Sequence, residues 1–187
     1  MKDFMTALHK VMSLMSQKKV PCHIGGSLLL ARSGIKTEVH DIDLLFRYQD
    51  YETVKSLLSD YVIEHASHEG YYLTIELLKI HVEGVDFDLI FDFSFQSDGM
   101  IYTYPFDKPK SSFRLKIDGH MYSFSRLEEW YLIYSLLPNR SRKVKLIADY
   151  FAQHRNADSK YLKAMLKRNL PESNVEEINR LIKDCAM

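Results

Sequence analysis

Two short motifs, Ile24-Gly25-Gly26-Ser27 and Asp41-Ile42-Asp43-Leu44, separated by thirteen residues, constrain this chain more than anything else in it. The first is preceded by the β-type run Val20-Pro21-Cys22-His23-Ile24 and followed by Leu28-Leu29-Leu30-Ala31-Arg32, a helical run ending near Gly34. The order is therefore strand, glycine turn, helix. The second motif opens a strand over residues 41–46. Residues i and i+2 of a strand share a face, so Asp41 and Asp43 stand together while Ile42 turns to the core. Such a pair is either solvated or built around a cation, because adjacent carboxylates repel. A glycine pair in turn lets the backbone approach a polyphosphate, the helix after it offers free N–H groups to an anion, and Ser27 adds a hydroxyl donor.

The rest of the chain supplies a fold for these motifs. Phe4, Met5, Leu8, Val11, Met12 and Met15 form the stripe of an amphipathic N-terminal helix. A helix is expected near residues 51–58 and a strand near 61–64. Strands over 71–81 and 85–91 join through a tight turn at Glu83-Gly84. Residues 94–120 read as loops and edge strands around 101–104 and 113–117. Ser125, with Glu128 three residues on, predicts an N-cap, after which helices are expected over 126–137, 141–154, 158–168 and 173–184. The fold class is α/β (α+β): a mixed β-sheet flanked by helices, with a C-terminal helical segment. Residues 1–122 are expected to form the catalytic unit and 123–187 a helical region packed against it.

Composition narrows the partners. With 187 residues, 46% apolar and 27% charged, the chain can bury a core, and disordered or collagenous classes are set aside. Lys plus Arg and Asp plus Glu both total 25, so no global basic field points to nucleic acid or an anionic membrane. No stretch approaches the ~18 apolar residues of a membrane span, and the Lys- and His-interrupted N-terminus is no signal peptide, so a cytoplasmic location is expected. Cys22 and Cys185 have no paired spacing and read as reduced thiols.

A third carboxylate would complete a two-metal site, since magnesium favours an octahedral shell of hard oxygens drawn from carboxylates, phosphate and water. Val85-Asp86-Phe87-Asp88-Leu89-Ile90 offers it. Asp88, in the more apolar setting, is the first choice and Asp86 the second. At this point the sequence resembles the nucleotidyltransferase superfamily with the DNA polymerase β-like minimal fold, on Gly25, Gly26, Ser27, Asp41, Asp43 and Asp88. It is similar to the lincosamide and aminoglycoside nucleotidyltransferases in the segment Ser125-Arg126-Leu127-Glu128-Glu129-Trp130 and in a basic helix ending at Asp149. Leu146 stands where that pattern has an Asp beside the lysine, Lys145.

The resemblance implies an enzyme that transfers a nucleoside monophosphate from an NTP such as ATP to an acceptor hydroxyl, with two magnesium ions as cofactors. Asp41, Asp43 and Asp88 would be the catalytic and metal residues, with Gly25, Gly26, Ser27 and Lys145 on the nucleotide. The acceptor is open between a small molecule, a tRNA end and a protein hydroxyl, and the neutral charge counts against tRNA. No membrane partner is expected, and a homodimer is left open. The alternative from another class is a nucleotide- or partner-binding module of the same fold without catalysis, such as a toxin–antitoxin component; a metal-dependent phosphoesterase is the third reading.

Among the remaining residues, His40 faces away from the Asp pair and reads as a surface or neighbouring histidine, Cys22 as buried, and Trp130 as core. Arg32 and Lys36 lie where they could approach a nucleotide. Tyr71-Tyr72 and the aromatics at 102–106 could line an acceptor pocket, or simply occupy strand edges.

Overall fold

A computed structural model of the chain describes residues 3–66, 70–108 and 110–186, the side chains of residues 185 and 186 apart, so the thiol of Cys185 lies outside the described residues. The elements begin with α1 (Phe4–Gln17), β1 (His23–Ile24), α2 (Gly26–Arg32) and β2 (Asp41–Phe46). A 3-10 turn leads into α3 (Tyr51–Leu57), followed by β3 (Glu64–His65), β4 (Glu76–Val82) and β5 (Val85–Phe91). Next come β6 (Ser94–Ser97), β7 (Met100–Thr103), β8 (Ser112–Ile117) and β9 (His120–Ser125). The chain ends in α4 (Leu127–Leu136), α5 (Ser141–His154), α6 (Ser159–Met165) and α7 (Glu172–Ala186).

Seven strands form a mixed sheet in the order β3-β4-β5-β2-β1-β9-β8, while β6 and β7 make a separate hairpin. β2 lies at its middle, parallel to β5 and antiparallel to β1. Its residues Ile42, Leu44, Leu45 and Phe46 are buried with Phe87, Leu89 and Phe91 of β5. The stripe of α1 is buried at Ala7, Leu8, Val11 and Met15, each large apolar side chain contributing about 1.5–3 kcal/mol over exposure. No helix among the described residues is long and apolar enough to cross a membrane.

The β4–β5 turn is a two-residue loop in which Glu83 and Gly84 both have positive φ, as the twist of a tight hairpin requires. Three other expectations change. The strand expected from residue 71 begins only at Glu76, because residues 71–73 pair instead with β6: Tyr72 bridges to Phe95, Leu73 N–H donates to the Ser94 carbonyl at 2.9 Å and Gln96 N–H to the Tyr71 carbonyl at 2.7 Å. Residues 121–124, unassigned from sequence, belong to β9, which pairs in parallel with β1 at Ile24 and Phe124. Ser125 does not cap α4. It ends β9 fully buried and accepts a 3.0 Å hydrogen bond from the Tyr104 hydroxyl, while Glu128 accepts instead from the backbone N–H of Asp158 at 2.8 Å.

α4 is buried on nearly every side, which makes it the central helix of the tail. Glu129, fully buried, ties the tail together. It accepts hydrogen bonds from the Tyr102 and Tyr161 hydroxyls, the latter at 2.6 Å, and from both terminal nitrogens of Arg168 at 2.5 and 2.9 Å.

Candidate active site

The parallel register of β2 and β5 sets Asp41 beside Asp86 and Asp43 beside Asp88. Neighbouring strands lie about 4.8 Å apart, so the side chains of a registered pair project together from one face of the sheet. Asp41, Asp43 and Asp88 line a common cavity of about 510 Å³ together with Ser27. Asp86 lies outside it, exposed, with its Oδ1 2.7 Å from Nδ1 of His81.

The glycine turn is fitted to this face. Gly25 N–H donates to the Asp43 carbonyl at 3.0 Å, which continues the β1–β2 pairing into the turn. Gly26 has φ +59°, and a Cβ there would fall 1.7 Å from Asp43 Oδ2; a Cβ on Gly25 would fall 2.2 Å from the Trp130 ring. The space the two glycines leave is thus filled by protein groups, an acid and an indole, and of the turn only Ser27 reaches the cavity wall. The glycines bring α2 against the Asp-x-Asp strand and let Trp130 of α4 pack on the turn.

Asp43 is the electrostatic centre. Burial, followed by the charges of Asp41 and Asp88, pushes its pKa up to about 7, against the opposing pull of Lys143 and Lys79. Among the described residues no hydrogen-bond donor reaches its carboxylate. Asp88 is turned the other way, onto Lys79 of β4, its cross-strand neighbour, with Nζ donating to Oδ1 at 2.6 Å. Burial works against the Lys79 charge, but Asp88, Asp41 and Asp43 together raise its pKa. With Asp88 so engaged, no three His, Cys, Asp or Glu side chains among the described residues converge on one metal position.

Lys143 approaches from α5. Its Nζ lies over the Tyr134 ring, 4.8 Å from the centroid, and donates to the hydroxyl at 3.2 Å. Burial and the nearby Arg140 lower its pKa, while Asp43 and Asp41 draw it back up. Lys145, two residues on, instead pairs with Asp149 at 2.9 Å and lines a neighbouring cleft. Trp130 and Tyr134, one helical turn apart on α4, form an aromatic wall with Phe93 and Tyr72. The indole Nε1 of Trp130 is buried without a partner, so this wall holds an unsatisfied donor.

Of the other residues singled out from sequence, Lys36 and His40 line the cavity, and His40 lies 3.4 Å from Glu38. Arg32 and Tyr71 do not line it. Tyr102 is buried against Glu129, and Phe106 stacks on His23 at 4.2 Å. Cys22 is buried, its thiol pushed up to about 12 by burial and 3.3 Å from Met12 Sδ. Trp130 is 4% exposed, a core residue that also reaches the site. Sequence reasoning passed over Lys79 and Tyr134, and within the basic cluster of α5 it chose Lys145 over Lys143. A signal existed for Lys143 and Tyr134: Lys143 shares the i, i+4 stripe of Ile147 and Phe151, and Tyr134 that of Trp130.

This arrangement has solved counterparts. A Thermotoga maritima protein assigned as a nucleotidyltransferase is similar at 22% identity and a TM-score of 0.63, over 81% of this chain and 94% of its own. The lincosamide antibiotic adenylyltransferase LnuA, bound to lincomycin, is similar at 19% identity and a TM-score of 0.52, over 76% of this chain and 94% of its own. ANT(2'')-Ia in complex with adenylyl-2''-tobramycin is similar at 12% identity and a TM-score of 0.55, over 97% and 98%. These likenesses establish the nucleotidyltransferase fold. No curated protein matches the chain in sequence. The family model described as aminoglycoside-2''-adenylyltransferase matches residues 7–121, from α1 into the start of β9 and including the glycine turn and the Asp cluster. With more than half its length matched, the chain belongs to the aminoglycoside-2''-adenylyltransferase family of nucleotidyltransferases.

Proposed function

We propose that this protein moves a nucleoside monophosphate from a nucleoside triphosphate, ATP as the family name suggests, to a hydroxyl of a small acceptor, in a magnesium-dependent reaction. The observation that carries the reading is Asp43: a half-buried carboxylate flanked by two others, without a donor of its own among the described residues, in a cavity walled by cationic and aromatic side chains. Such a group is costly in the free protein and is stabilised by a cation. The donor set fits magnesium, since Asp41, Asp43 and Asp88 offer hard oxygens on one face, with Asp88 exchanging Lys79 for the metal. When bound, the ions neutralise phosphate charge and align the attacking and leaving oxygens.

The protein's own groups do the rest. Ser27 and Lys143 face the phosphates, Lys143 taking the role sequence reading gave to Lys145. Asp88, released from Lys79, accepts the proton of the acceptor hydroxyl. The acceptor oxygen then forms its bond to the α-phosphorus, the bond from that phosphorus to the bridging oxygen breaks, and pyrophosphate leaves with the electron pair. Tyr72, Phe93, Trp130 and Tyr134 offer stacking surfaces for the base or the acceptor. Lincomycin and tobramycin, which appear with the two antibiotic-modifying neighbours, make a small hydroxylated molecule the favoured acceptor class.

The test is to incubate the protein with α-labelled NTPs, magnesium and the small-molecule fraction of a cell extract. Label is expected on a small acceptor, with transfer falling about 1,000-fold or more in Asp43→Asn. Undiminished transfer by that variant would remove the carboxylate cluster from the reaction.

A further inference from the structure

The charges around the cavity limit what acceptor can share it with a nucleotide. Asp41, Asp43 and Asp88 are committed to the metals under the nucleotidyl-transfer reading, on which this inference rests. Among the described lining residues, Glu38 is then the remaining carboxylate, an exposed loop side chain 3.4 Å from His40. Four cationic side chains line the same space: Lys36 before β2, and Arg140, Arg142 and Lys143 at the start of α5. A nucleoside triphosphate brings about four negative charges and the three aspartates about three more; two divalent ions offset about four of them, and the four cationic side chains offset the remainder together with that of Glu38. The loaded cavity therefore has no surplus of negative charge. An acceptor bearing several ammonium groups would meet like charge on α5 and a single exposed carboxylate opposite, an arrangement that disfavours it strongly. The rest of the wall, from Trp130, Tyr134 and Phe93 to Leu137, is aromatic and apolar and can take a flat ring without desolvating a charge.

We propose that the acceptor is an uncharged hydroxyl compound presenting an apolar or aromatic face, and that sugars carrying several amines are rejected. The site would then carry the transfer chemistry without the surplus of negative charge a polyamine needs.

The experiment titrates the protein calorimetrically, first with magnesium and α,β-methylene-ATP and then with one of two probes near physiological salt. The probes are p-nitrophenyl β-glucopyranoside, an uncharged aromatic hydroxyl compound, and tobramycin, a polyamine. The glucoside is expected to bind at least about tenfold more tightly than tobramycin, and Arg142→Glu to raise tobramycin affinity about threefold or more. Equal or tighter binding of tobramycin by the wild type overturns the proposal, as does failure of the glucoside to bind. Failure at the nucleotide step counts instead against the nucleotidyl-transfer reading. The acceptor inference falls with it, because carboxylates not committed to metals would themselves attract ammonium groups.

Discussion

Two carboxylates at the heart of the molecule, the half-buried Asp43 and the fully buried Glu129, have opposite surroundings. Glu129 receives four hydrogen bonds, two of them from a guanidinium that carries its countercharge. Asp43 receives none from the described residues and is flanked by Asp41 and Asp88. The first joins β7, α4, the first turn of α6 and the segment that follows α6, and there is nothing left for a ligand to supply. The second is at rest only as far as Lys79 and Lys143 offset its neighbours, which leaves room for a cation. Saturation marks a structural group and deficiency a functional one.

The comparison breaks most visibly in stability. Arg168→Ala strands the Glu129 charge with only tyrosine donors, and denaturant unfolding is expected to lose about 3–5 kcal/mol, the usual cost of breaking a buried ion pair from one side. Asp43→Asn is expected to lose nothing. If the two variants destabilise alike, Asp43 is as structural as Glu129 and the distinction fails.

Gly26→Ala comes next. The new Cβ would lie 1.7 Å from Asp43 Oδ2 at a residue with φ +59°, so strain and displacement of the acid act together. A loss of about 1–3 kcal/mol is expected, with magnesium–nucleotide binding weakened beyond what the fall in melting temperature explains. Unchanged nucleotide affinity would uncouple the turn from the carboxylates.

Asp43 also gives the metal-free protein a pH signature. Its folded pKa is raised, so the native state holds the proton more firmly than the unfolded chain. The destabilisation is absent below pH 4, grows as pH rises from about 4, and is complete above about 7. In EDTA at pH 8, Asp43→Asn is therefore expected to be more stable than the wild type by about 1–3 kcal/mol, and at pH 4 equal to it. A difference that does not change with pH would mean that the wild-type carboxylate is not strained.

How much of this was readable from sequence depends on the range of the signal. The Asp-x-Asp strand, the glycine turn and the Glu83-Gly84 hairpin are local patterns, and the structure has those elements where the patterns lie. Two hairpins were missed although their Asp-Gly pairs, Asp98-Gly99 and Asp118-Gly119, were in view; all four residues take the positive φ of the same tight turn. Lys143 against Lys145 was a question of helix phase, which the buried Ile147 and Phe151 settle. Lys79 had no local signal at all. Its partnership with Asp88 exists only through the β4–β5 register, and Glu129 likewise looks like any other acid of a helix until Arg168 folds back on it.

Lys79 gives the smallest expected effect and the sharpest one. If its ammonium holds Asp88 in the place a metal will take, Lys79→Gln removes a competitor and at the same time strips a positive charge from the edge of the cluster. Titration with Mn²⁺ in the absence of nucleotide is then expected to tighten by about three- to tenfold, while Lys79→Arg, which keeps the charge, stays close to the wild type. The pair is partly exposed, so the effect is modest and shrinks in high salt. Equal Mn²⁺ affinity in Lys79→Gln and wild type would mean that Asp88 yields to the metal without opposition, leaving Lys79 as an ordinary cross-strand ion pair.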